Sequence, residues 1–150
     1  KAQTTFISST FWTERSGFVA ALKTLDIMNK EKSWKKISKL GKLIKKKWIE
    51  LSKKNKIKIK VLGLDAIPVF IINSKKWLQY KTFITSELLK ENILGSNVIY
   101  LSTSHNTKIL NKYFKILDRI FSEIGNFEKD KSLKKLKNLK ICHSGFKRLN

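Results

Sequence analysis

An α+β fold, with a small, mostly antiparallel sheet covered by helices on one face, is the architecture this sequence predicts, and three observations predict it. Apolar residues recur at helical spacing in four separate stretches. Between the second and the third the period drops to two, the mark of a strand with one buried face. The order helix, helix, strand, strand, helix, strand, helix runs without a repeat, a glycine-rich linker or a low-complexity block.

The first helix begins after Thr13, its natural cap, with Glu14 in the first turn and Phe18, Leu22, Leu25 and Met28 on one face. Ser33 opens the second, in which Trp34, Ile37, Leu40, Ile44, Trp48 and Leu51 form an apolar stripe and lysines from Lys35 to Lys53 take the other side. Ile57, Ile59 and Val61 then alternate with Lys56, Lys58 and Lys60, a half-buried strand ending at Gly63. Residues 67–72 form its partner through the turn Gly63-Leu64-Asp65, and Pro68 must start that strand or sit at an edge. A third helix over 78–90 turns Tyr80, Phe83, Ile84 and Leu88 inward, and Asn92 with Gly95 ends it. A short strand, Val98 to Leu101, precedes a capping run at 102–106 and a long amphipathic helix carrying Ile109, Leu110, Tyr113, Phe114, Leu117, Ile120, Phe121 and Ile124. A short lysine-rich helix around 132–137 closes the series, and the second face of the sheet awaits a partner.

The chain has 150 residues, 41% of them hydrophobic and 11% aromatic, enough for one core, and no apolar run approaches the ~20 residues of a membrane span. We expect no membrane association. With Cys142 as its single cysteine it forms no internal disulfide and no cysteine-based metal site, which suits a reducing, cytoplasmic setting. The first residues read as the interior of a larger fold, so an N-terminal part is expected to be missing.

A net charge of +22 would point to nucleic acid or an anionic surface. Only Arg15, Arg119 and Arg148 are arginines among 33 basic residues, however, whereas base readout and bidentate phosphate recognition favour arginine. The lysines travel with abundant Ile and Asn, the bias that A+T-rich codons produce. A solvated lysine surface without a nucleic-acid partner is the expectation.

Catalytic constellations are absent. His105 sits in a capping run and His143 in the tail, neither with an acidic ligand at helical spacing, so no metal site is nominated. Cys142 and His143 are neighbours in sequence, which point apart on an extended chain, so they make no nucleophilic pair. No phosphate-binding glycine loop, nucleophile elbow or carboxylate pair occurs, and no catalytic residue is assigned. What stands out is the opening FISSTFWTER, where Ser8, Ser9, Thr10 and Thr13 crowd ahead of a helix. Such hydroxyls cap a helix or grip an anion, and spacing alone favours the cap.

The stretch AQTTFISSTFWTERSGFVAALKTL, together with the ending CHSGFKRLN, resembles the C-terminal part of class III, fold-type I pyridoxal-phosphate enzymes, in the branch like glutamate-1-semialdehyde 2,1-aminomutase. The resemblance covers essentially the whole chain and is most specific at its two ends. It implies that residues 1–13 connect from a missing large domain and that 14–150 form the C-terminal small domain. It also implies that Thr10 binds the phosphate of pyridoxal 5'-phosphate in the neighbouring subunit of a homodimer, with Ser9, where the family often has Gly, beside it. Phe11, Trp12, Thr13, Glu14 and Arg15 replace the family's usual Leu-Ser-Gly-Asn-Pro, which bears on the substrate. The family's Schiff-base lysine and its aspartate lie upstream and have no counterpart here, so the isolated chain is expected to be inactive. The intact enzyme would move an amino group on a small amino-acid or semialdehyde substrate. The competing reading is a standalone lysine-rich module that binds nucleic acid and stacks bases on Trp34, Trp48 or Trp77. A small regulatory or oligomerisation domain is a third possibility.

Overall fold

The computed structural model describes residues 14–129 together with 136, 139, 141 and 142. The chain divides into two units, Lys1–Trp34 and Lys35–Asn150. In the first, helix α1 spans Arg15–Glu31. Thr13 lies outside the described residues, and Glu14 precedes the helix in extended conformation, its carboxylate accepting a hydrogen bond from Ser16 Oγ at 2.6 Å. Lys32 ends the helix in the left-handed region (φ 50°), donating its N–H to Met28 O. Phe18, Leu22, Leu25 and Met28 keep their predicted spacing, but none of the residues of α1 is buried.

Helix α2, Ser33–Lys54, leads into the second unit and buries Ile44, Trp48 and Leu51 as predicted. Trp34, assigned to the same stripe, is instead 42% exposed. Gly41 lets the helix approach the hairpin turn, since a Cβ there would lie 1.7 Å from Asp65 O. Lys45 clamps that turn by donating to Gly63 O at 2.8 Å and Asp65 Oδ1 at 2.9 Å.

Strands β1 (Ile59–Leu62) and β2 (Val69–Ile72) pair antiparallel, Ile59 opposite Ile72 and Leu62 opposite Val69. The register places Ile59, Val61, Phe70 and Ile72 on the core face and Lys60, Leu62, Val69 and Ile71 on the other. Gly63 turns the hairpin at φ +79°, with Ile67 O 2.4 Å from where a Cβ would sit.

The third predicted strand is reduced to one bridge, Val69 with Val98. Phe70 N donates to Asn97 O, Ile99 N to Pro68 O and Leu101 N to Ala66 O at 3.0–3.2 Å, an antiparallel alignment on the free side of β2. Pro68 has no N–H to return to Ile99, so that pair keeps one of its two bonds and the strand is not completed.

Helices α3 (Trp77–Lys90) and α4 (Thr107–Lys129) cover the core face together with α2. Tyr80, Phe83, Ile84 and Leu88 face inward as predicted, and so do all the predicted residues of α4 except Ile109, which lies 49% exposed in the first turn. Of the predicted helix at 132–137 only Leu136 is described; it is helical and buried. The α+β class is therefore as the sequence predicts.

At the centre, Trp48 Nε1 donates to Tyr113 Oη at 3.0 Å, and burial pushes the Tyr113 phenol up. Near the end of α4, Glu128 accepts from Tyr80 Oη at 2.6 Å and Ser74 Oγ at 2.8 Å. The Tyr80 hydrogen bond, opposed by partial burial and aided by Ser74 and Lys76, holds the Glu128 carboxyl below its ordinary 4.5.

Replacing Trp48 by Ala is expected to cost about 3–5 kcal/mol, against about 1–3 kcal/mol for Tyr113→Phe, which leaves the indole N–H without its partner. Urea unfolding with matched slopes checks both. A depressed carboxyl pKa contributes stability above pH 4.5 that is lost as the pH falls through the folded-state value, because the unfolded chain takes up the proton first. Glu128→Gln is accordingly expected to flatten the acid side of a stability-versus-pH curve, and an unchanged curve would refute that assignment.

Candidate functional site

Between α3 and α4 the chain wraps a crevice of about 520 Å³, within the size range of small-molecule sites. Its start is fixed by the end of α3. Asn92 adopts φ 58° and donates its N–H to Leu89 O at 3.0 Å, while Ile93 N reaches Leu88 O at 2.9 Å. Two cations of α4 hold Glu91: Lys112 Nζ donates to its carbonyl at 3.1 Å and Arg119 to its carboxylate at 2.8 Å. Buried Asn97 fixes the far wall, its Nδ2 donating to Phe70 O at 3.0 Å.

The lining is mainly apolar, with Leu94, Val98, Tyr100 and Ile109 open to solvent to different degrees and Asn92, Ser96, His105 and Lys112 among its polar members. Ser102 N donates to His105 Nδ1 at 3.1 Å, which leaves Nε2 as the protonated nitrogen of the neutral ring. No carboxylate contacts this imidazole, and the phenol of Tyr113 serves Trp48. The crevice can therefore bind a small, partly apolar molecule, and it holds no nucleophile beside a base.

Ser9 and Thr10 lie outside the described residues, as does His143. Cys142 is half-buried, its N–H donating to Thr82 Oγ1 at 3.1 Å and its thiol to Leu78 O at 3.5 Å, which docks it on α3 as a structural group. Among the described residues no cluster of His, Cys, Asp or Glu could hold a metal ion, and no helix is long and apolar enough to cross a membrane.

The described residues do not seat pyridoxal phosphate. Among them no lysine is buried in a cavity beside an aspartate; Lys45 with Asp65 and Lys54 with Asp118 tie the hairpin turn and the end of α2 in place. Sequence reasoning passed over Leu94 and Asn97 between a helix and a strand, and took Tyr100 only as part of the strand Val98 to Leu101. The Gly95-Ser96-Asn97 run was the available signal, since turn residues beside a strand often form the rim of a site.

No family model matches this chain, and no curated protein matches it. Among solved structures it shares the fold of part of a pyridoxal-phosphate (PLP) enzyme. That structure is the PLP internal aldimine form of the Sphingopyxis sp. MTA144 FumI protein, superposed with a TM-score of 0.72 at 17% identity over 93% of this chain. The chain spans 32% of the length of that neighbour.

The geometry generates one direct test. Asn97→Ala removes the donor to Phe70 O and is expected to destabilise the chain by about 1–3 kcal/mol. Faster hydrogen exchange at Ile99 and Leu101, with the α4 amides unchanged, would show that the crevice wall has loosened locally.

Proposed function

We propose that this chain is the C-terminal small domain of a pyridoxal-phosphate enzyme that moves an amino group on a small amino-acid or semialdehyde substrate. The fold likeness over 93% of the chain carries the reading. It supports the same enzyme class as the wording of the opening and closing segments, and the two kinds of likeness are independent: at 17% identity the fold match owes little to shared residues. Pyridoxal phosphate supplies an electron sink when bound, and it would be held by a large domain upstream. The part of this chain is to cover the cleft, exclude water, and present Thr10, with Ser9 beside it, to the cofactor phosphate of the partner subunit in a homodimer. Short hydroxyls and backbone N–H groups suit a doubly charged phosphate because they donate without bulk.

Burial of Trp48 removes one of the three indoles that the nucleic-acid reading needs as stacking platforms. The segment Phe11 to Arg15, where the family wording changes, bears on the substrate.

In the full-length dimer, Thr10→Ala is expected to weaken retention of pyridoxal phosphate about tenfold, the effect of one lost hydrogen bond to a charged group of ~1.5 kcal/mol. Dialysis followed by cofactor absorbance measures it, and unchanged affinity would sink the assignment. Dialysed free of excess pyridoxal phosphate before borohydride reduction, the 150-residue chain alone should keep no stoichiometric pyridoxyl group on any single lysine, free cofactor otherwise adding to its surface lysines at random.

A further inference from the structure

Residues 97–101 form one edge of the sheet, and their hydrogen bonds fix which backbone groups face outward. Phe70 N donates to Asn97 O, Ile99 N to Pro68 O and Leu101 N to Ala66 O, so Asn97, Ile99 and Leu101 turn their backbone toward β2. Val69 and Val98 bridge as a pair whose own N–H and C=O groups point away from each other. The N–H and C=O of Val98 and Tyr100 therefore face outward at the two-residue repeat of a strand. Among the described residues no backbone group pairs with them. They open on the crevice between α3 and α4, whose lining includes Val98, Ile99 and Tyr100.

The two edges of the sheet are guarded differently. Asn73 N donates to Lys58 O, so at the opposite edge Ile59 and Val61 turn their backbone outward, within the alternation Lys56, Lys58, Lys60. Lysines of this kind blunt an edge against pairing. The run Asn-Val-Ile-Tyr-Leu at 97–101 carries neither charge nor proline, and Tyr100 is 71% exposed. Beside it the crevice supplies Ile93, Ile109 and Leu110 as apolar surface for alternate side chains of an added strand. Lys112, whose ammonium has donors to spare after Glu91 O, and His105 stand in the lining, with Lys108 one turn before Lys112 on α4. The lining contains no carboxylate, and Arg119 holds that of neighbouring Glu91. We propose that the Val98-Tyr100 edge is a strand-addition site for an extended acidic peptide segment of a partner protein, which pairs its backbone with Val98 and Tyr100 and places a carboxylate on Lys112. Paired donors and acceptors along a strand call for a peptide rather than a small molecule, and a second copy joined edge to edge would bring Lys108 and Lys112 of both chains together.

Amide hydrogen exchange of the 150-residue chain, read residue by residue by NMR, tests this with the probe acetyl-Ile-Thr-Val-Asp-amide at millimolar concentration. Exchange at Val98 and Tyr100 should slow about tenfold or more, while Ile59 and Val61 at the lysine-guarded edge keep their rates. The same peptide N-methylated along its backbone cannot pair and should protect neither residue. Lys112→Glu should weaken the acidic peptide about tenfold, the scale of one charge-assisted hydrogen bond, and a peptide ending in lysine should regain affinity for that variant. Unchanged exchange at Val98 and Tyr100 overturns the inference. Equal protection by the N-methylated peptide or by hexanoate makes the crevice a small-carboxylate site and also overturns it. So does protection that grows with protein concentration without peptide, which assigns the edge to a second copy, and so does protection already present in the full-length enzyme, which assigns it to the enzyme's own chain. None of these readouts requires bound pyridoxal phosphate, so the functional reading above can fail without deciding this one.

Discussion

Phe70 is the residue on which the second unit is assembled. Its ring meets Trp48 of α2 at 4.8 Å, Phe121 of α4 at 5.5 Å and Trp77 of α3 at 6.5 Å, all edge-on, so one strand residue joins the hairpin to three helices. Edge-to-face geometry sets the rings at defined angles and adds about 0.5–1.5 kcal/mol per pair to the burial of the rings themselves. The backbone of the same residue bonds Asn97 through both its N–H and its carbonyl. Core and crevice are thus held by one position, and a hairpin too short to stand alone is stabilised by what packs under it.

Polar groups in this interior are few and each has a partner. The indole of Trp48 donates to Tyr113, and Asn55 ties the end of α2 to Asp118 of α4 at 2.8 Å. Among the described residues no buried side-chain nitrogen or oxygen lacks a hydrogen bond. Such satisfaction belongs to a scaffold. Catalytic sites often keep a perturbed, under-partnered group; Tyr113, whose phenol burial pushes up, lines the crevice but is tied to Trp48. Under the proposed function a division of labour would account for this, one domain carrying the chemistry and this one shaping and covering the cleft.

The lysines follow the same logic. Lys45 and Lys54 clamp the hairpin turn and the end of α2, whereas the remaining cations of α2 occupy its solvent side without entering the core. They give the unit its strong positive field.

Much of the fold was legible because it is periodic. The inner faces of α3 and α4 follow from the 3.6-residue spacing of Tyr80 to Leu88 and Leu110 to Ile124, and the hairpin from the alternation around Ile59 with a turn at Gly63. The opening and closing segments carried the resemblance, because a run of short hydroxyls ahead of a helix and a characteristic ending are local patterns. Several things came from tertiary structure alone. Pro68 starves the third strand of a donor only because residues 97–101 lie beside it, and Gly41 matters only because Asp65 comes to rest against it. Trp34 and Ile109 match their stripes in sequence yet stay exposed, since periodicity assigns a side to each residue and the reach of the neighbouring elements determines how far that side is covered. Leu94 and Tyr100 line a crevice only because the end of α3 and the start of α4 converge on them.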